Sequence, residues 1–185
     1  LNHLKNYKSI NQKIMKKILI FAFTLFCVIS YAQKTTFKEV KGNGNFIVQV
    51  PDYMSNDTSL NKDAAISYSN PKEEMYLIVI TDSKKALKDA GINYTVDSYF
   101  AFASKNIESM VTSSNVTEPK KSKINGNAAL VSIITGKFGE LGVYYKLGIV
   151  ESKEHFYQVL TWTLDSYKTK FDKDMDKMIN SLKEL

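Results

Sequence analysis

Apolar and polar residues alternate with a period of two through several stretches of the chain, the pattern of strands with two distinct faces. Residues 35–40 open the series, and Gly42-Asn43-Gly44-Asn45 turns the chain into 46–50, which Pro51 stops. Residues 64–69 place Ala64, Ile66 and Tyr68 on one face. After Asn70-Pro71-Lys72-Glu73 comes 76–81, apolar on both faces, as a strand covered from both sides must be. A short strand within 116–124 precedes three stronger ones at 128–135, 143–150 and 155–163. In the last, Phe156, Gln158, Leu160 and Trp162 share a face, with Tyr157, Val159, Thr161 and Thr163 on the other.

Two segments switch to helical spacing. Behind Thr95, a suitable N-cap, Val96, Tyr99, Phe100, Ala103, Ile107, Met110 and Val111 recur at three and four and predict a helix over 96–111. Phe171, Met175, Met178, Ile179, Leu182 and Leu185 predict another over 171–185, with Asp165 or Ser166 as cap. Residues 82–90 suit a shorter helical turn. Strands joined by short turns pair antiparallel. A sheet apolar on both faces needs cover on both, so the expected class is α+β: an antiparallel central sheet flanked by helices on each face, an α/β/α sandwich.

The first part of the chain reads differently. Met15-Lys16-Lys17 precedes an apolar run, 18–29, broken only by Thr24, and then Ser30-Tyr31-Ala32. A basic start, a short apolar stretch and a small-x-small site make a secretory signal peptide over 15–32, cleaved after Ala32. The run is too short to span a bilayer, which takes ~20 apolar residues. Residues 1–14 read as an extension upstream of the initiating Met15. Cys27 follows Phe26 inside the apolar run, not the small residue that a lipobox requires. Without it the exported chain has no cysteine. Residues 33–185 then form a single domain, with no Pro-, Gly- or Ser-rich spacer and no repeat.

Removing the leader also removes most of the charge. All 25 basic residues are lysines, five of them precede residue 33, and no acid does. Residues 33–185 therefore hold 20 basic against 19 acidic groups, a net of +1, which gives no support to a nucleic-acid surface.

The order of elements, together with Phe46-Ile47-Val48-Gln49-Val50-Pro51, Asn125-Gly126-Asn127-Ala128 and Phe156-Tyr157-Gln158-Val159, resembles the PsbP-like superfamily. That group includes an extrinsic photosystem II subunit, a Ran-binding factor and envelope proteins of the DcrB type. The resemblance spans most of residues 40–185 and implies an accessory or binding role. It brings no shared catalytic motif.

Candidate chemistry is sparse. Gly136, Gly139 and Gly142 beside Lys137 lie between two strands, so they suit a hairpin loop better than a phosphate cradle, which needs a helix N-terminus. Asp172, Asp174 and Asp176 have calcium-loop spacing, but Lys177 stands where the loop glycine belongs, and a solvated helix face accounts for them. Lys120, Lys121 and Lys123 suit an exposed edge strand protected against pairing. His155 is the acid–base candidate, yet no G-x-S-x-G elbow or H-E-x-x-H motif accompanies it. No catalytic residue, metal or cofactor is expected. Tyr144, Tyr145, Tyr157 and Trp162 concentrate in two adjacent strands. Packing explains most of such a group, and any exposed part, above all Tyr144, Tyr157 and Trp162, would be the ligand or partner surface.

These readings converge on a non-enzymatic binding or accessory protein of a bacterial cell envelope, periplasmic or secreted. Its partner is another envelope protein or a small apolar ligand, with no nucleic acid and no stable transmembrane segment after cleavage. The alternatives are a small envelope hydrolase or lyase using His155, and a carrier of an apolar small molecule between helix and sheet.

Overall fold

A computed structural model describes residues 35–43 and 46–185. The extension 1–14, the leader 15–32, its cleavage site, and Gly44 and Asn45 of the first turn lie outside the described residues. The chain runs β1 (Phe37–Gly42), β2 (Phe46–Pro51), β3 (Ser55–Asn56), β4 (Ile66–Asn70), β5 (Met75–Ser83), α1 (Lys84–Asp89), α2 (Val96–Glu108), β6 (Thr112–Val116) and β7 (Lys120–Ile124). It continues through β8 (Asn127–Phe138), β9 (Leu141–Glu151), β10 (His155–Leu164), α3 (Lys168–Ser181) and β11 (Lys183–Glu184).

The main sheet has the order β3-β4-β5-β10-β9-β8-β6, with β7 pairing the other half of β8, and every pair is antiparallel. The meander β8-β9-β10 forms its centre, and β5 docks on β10 with Val79 opposite Val159. Both faces of these strands are apolar, and each face has its own core. On one, Tyr99, Phe100, Ala103 and Ile107 of α2 are buried with Leu130, Ile134, Leu147, Ile149, Phe156 and Leu160. On the other, Phe171, Met175, Met178 and Ile179 of α3 are buried with Val79, Val150, Tyr157 and Val159. Phe100 and Ile179 thus lie on opposite sides of the sheet, as a sandwich requires.

Thr95 caps α2 as its sequence suggests. Its hydroxyl accepts from Ser98 N, and Ser98 Oγ accepts in turn from Thr95 N, a reciprocal capping box. The helix ends at Glu108 and not at Val111, because the chain must drop to the sheet edge where Thr112 pairs Lys137. Met110 is left exposed. The strand expected within 116–124 is two strands separated by Pro119, both laid along β8. The glycine-rich loop shrinks to a two-residue turn, Gly139-Glu140, with Phe138 opposite Leu141. Gly139 has φ +60°, the left-handed conformation such a turn demands of its first residue.

The C-terminal helix also stops early. A turn of 3₁₀ helix at Asp165–Tyr167 leads into α3, and no side chain caps its start. After Ser181 the backbone extends at Leu182, and Lys183 and Glu184 pair with Ile47 and Phe46 of β2. This makes a second, three-stranded sheet, β1-β2-β11, which roofs the α3 core with Phe46, Val48 and Val50. The helical stripe runs on through Leu182 because that residue is itself buried, whereas Leu185 is exposed. Where α3 crosses β9 the sheet carries Gly148: a Cβ there would stand 2.5 Å from Ile179 Cγ2.

Candidate functional site

His155 begins β10, directly after the Ser152–Glu154 turn, and meets the C-terminal strand. Its Nδ1 lies 3.0 Å from Glu184 Oε1. The same oxygen accepts from Tyr157 Oη at 2.8 Å and from Ser152 Oγ at 2.9 Å. Ser152 is buried, and its hydroxyl also accepts from His155 N at 3.0 Å. Glu184 is drawn two ways: partial burial favours its protonated form, but the hydrogen bonds from His155, Tyr157 and Ser152 outweigh this and hold its pKa below the usual range. The Tyr157 hydroxyl is pushed up, first by burial and then by its bond to Glu184. The cluster joins β11, and through it the small sheet, to the β9–β10 turn.

A second polar group lies farther along the α3 face. Lys146 points from β9 towards α3 and is only 4% exposed. Its ammonium donates to the Asp172 carbonyl (3.2 Å) and to Asp176 Oδ1 (2.5 Å) and forms an ion pair with Asp172 Oδ1 at 2.8 Å. Tyr144 Oη donates to Asp172 Oδ1 at 2.8 Å. Burial works to raise the Asp172 pKa, but the hydrogen bonds from Lys146 and Tyr144 prevail and keep it low. The aspartates are thus not simply a solvated face. Asp172 and Asp176, four residues apart, clamp α3 to the sheet, while Asp174 turns away to accept from Thr35 Oγ1 and Tyr53 Oη. Alternate-residue spacing cannot reveal this clamp, because its lysine lies on a different element.

Beside the clamp a groove of about 320 Å³ opens along β8. Its floor is Val131 and Ile133, both half-buried, and one wall is Tyr144, Lys146, Asp172 and Asp176. Thr117 and Lys120 form the other side. Lys120 pairs Val131 in register and shares its face, whereas Lys121 pairs Leu130 and belongs to the α2 face. The basic cluster on edge strand β7 is therefore divided between the two sides of the sheet.

The structure does not gather Tyr144, Tyr157 and Trp162 on one exposed surface. Tyr144 and Tyr157 are buried on the α3 side with their hydroxyls on carboxylates. Trp162 is half-buried on the α2 side, its ring stacked on Tyr76 at 5.0 Å and close to Tyr145 at 6.2 Å. Period two already separates Tyr157 from Trp162, since five residues along one strand reverse the face. Among the described residues the most exposed large apolar side chains, missed by pattern reading, are Phe138 and Leu141 at the hairpin tip. They fall on the α2 side because Val143, two residues on from Leu141, does.

No protein-family model matches the chain, and comparison with curated protein sequences gives no match. Solved structures do match. The Ran-binding protein Mog1p of Saccharomyces cerevisiae aligns at TM-score 0.57 with 9% identity, over 82% of this chain and 96% of that one. Cyanobacterial PsbP (CyanoP) of Synechocystis aligns at 0.56 with 9% identity, over 84% and 96%. The fold is PsbP-like. LpqN, described as involved in cell envelope biogenesis of Mycobacterium tuberculosis, gives 0.56 with 10% identity, over 81% of this chain and 91% of that one. At such identities the PsbP-like likeness is one of backbone architecture, and the residues of the clamp and of the His155 cluster stand on their own chemistry.

Proposed function

We propose that residues 33–185 act as a non-enzymatic binding or accessory domain, delivered to a bacterial cell envelope by the leader at 15–32 and released after Ala32. The observation that carries the non-enzymatic reading is the direction of the bonds at His155. A serine nucleophile needs the imidazole as its base, with a third group orienting the ring. Here Ser152 Oγ and His155 Nδ1 both end on Glu184 Oε1, and Ser152 is buried. The arrangement is that of a strand anchor. Mog1p is described as Ran-binding and LpqN as serving envelope biogenesis, so the shared architecture supports a binding role by analogy.

Of the three aromatic candidates, Trp162 is the one left partly open, and an envelope protein docking on its side of the sheet is the partner this reading favours. A carrier of apolar molecules would want an apolar cavity between helix and sheet, whereas the α3-side groove is open and has charged walls. The test is to export the full chain, determine its N-terminus and recover its envelope partner with the native protein, His155→Ala and Trp162→Ala. The expected result is an N-terminus at Gln33, a partner kept by His155→Ala, and a partner lost by Trp162→Ala. Loss of function in a folded His155→Ala protein would put a hydrolase or lyase first.

A further inference from the structure

The groove along β8 carries unspent chemistry. Lys146 is buried and committed to α3, through its bonds to the Asp172 carbonyl and Asp176 Oδ1 and its ion pair with Asp172 Oδ1. Both bonds that Asp172 accepts from side chains fall on Oδ1, and the bond that Asp176 accepts from Lys146 also falls on Oδ1. The two Oδ2 atoms have no partner among the described residues, and both carboxylates are nearly half exposed, at 45% and 49%. Two carboxylates against one ammonium leave this wall with a net charge of −1. Across the floor, the exposed Lys120 ammonium likewise has no partner among the described residues. Between the two charges lie the half-buried apolar side chains Val131 and Ile133.

A cation-binding end, an apolar floor and an anion-binding end call for a zwitterion with an apolar body. Among the described residues no three carboxylate, histidine or cysteine groups come together to hold a metal ion, and the Lys146 ammonium stands against both aspartates. From β9 to β7 the floor is two strand spacings wide, about 10 Å. An extended peptide covers ~3.3–3.6 Å per residue, so two or three residues bridge it. A volume of about 320 Å³ is at the small end of ligand sites and suits that size.

We propose that this groove binds short apolar peptides, two or three residues long, with the free amino group on Asp172 Oδ2 and Asp176 Oδ2. The side chains lie on Val131 and Ile133, and the free carboxylate meets Lys120. The assignment rests on the reading of the domain as a binding module and adds a small ligand on the α3 side to the protein partner favoured on the Trp162 side.

The experiment is calorimetric titration of the full chain, produced with its leader and purified as the cell delivers it, with Leu-Leu, N-acetyl-Leu-Leu and Leu-Leu amide. Methyl NMR of Val131 and Ile133 locates the ligand. Leu-Leu should bind with Kd of about 0.01–1 mM and shift both methyl groups. Acetylation or Asp176→Asn should weaken it about two- to fivefold, as should amidation or Lys120→Ala, the range for solvent-accessible charge pairs. Changing the ligand leaves the protein intact, so the test does not depend on a variant folding. No binding at about 10 mM, equal affinity for the acetylated peptide, or shifts elsewhere would each overturn the assignment. Failure here with the Trp162-dependent partner retained removes the groove and leaves the accessory reading. Release of free leucine during the titration would overturn the non-enzymatic reading instead.

Discussion

Gly148→Ala tests how α3 is seated, and with it the wall of the groove. The new methyl group would stand 2.5 Å from Ile179 Cγ2 and 3.6 Å from Ile179 Cβ and Cγ1. Carbon atoms pack at ~3.5–4.0 Å, so at least about 1 Å must be absorbed by the helix or by the Ile179 side chain. Ile179 is fully buried and β-branched, hence stiff at χ1. Overpacking of this kind costs about 1–3 kcal/mol. Losing glycine's freedom in the unfolded chain returns about 0.4–1 kcal/mol, since the backbone at 148 is not left-handed. The net expectation is a loss of about 1–2 kcal/mol. Ile179→Ala alone should cost about 2–5 kcal/mol by cavity formation. In the double variant the methyl group introduced at position 148 occupies part of that cavity, so the combined loss should fall short of the sum by at least about 1 kcal/mol. Urea unfolding followed by the fluorescence of Trp162, the only tryptophan, measures all three variants. A neutral or stabilising Gly148→Ala, or additivity within about 0.5 kcal/mol, would refute the close crossing of α3 over β9.

Lys146→Met keeps the aliphatic stem but removes the cation between Asp172 and Asp176. It should cost about 1–3 kcal/mol in the same assay, softened by water reaching the half-exposed carboxylates. Asp172 and Glu184 both have lowered folded-state pKa values, so their contribution is present above the ordinary carboxylate range and lost as pH falls through the folded values. Melting temperature should drop on acidification below about pH 4, less steeply in Asp172→Asn and Glu184→Gln than in the native chain. Phe138→Ser and Leu141→Ser should each change stability by about 0.5 kcal/mol or less, because both side chains are exposed at the hairpin tip. Tyr157→Ala should lose stability as a buried aromatic does, about 3–5 kcal/mol by thermal or urea unfolding, whatever its effect on binding.

What could be read in the chain without coordinates was what neighbouring residues decide among themselves. The strand runs of β5, β9 and β10, the Thr95 cap and the stripe of α2 depend on spacing, turn residues and local hydrogen bonds. Apolar residues on both faces of β5 then require a helix on each side, and Phe100 and Ile179 do sit on opposite faces. Tertiary structure alone decided which segments meet. Lys183 and Glu184 lie within an apolar helical stripe in sequence, yet they become a strand because β2 presents a free edge there. Lys146 looks like a solvent lysine in an alternating strand until α3 brings Asp172 and Asp176 over it from 26 and 30 residues away. His155 acquires Glu184 across 29 residues by the same means. Periodicity records the face a side chain takes relative to its own element. The partner on that face is set by strand register and helix crossing, which arise from packing between elements far apart in the chain.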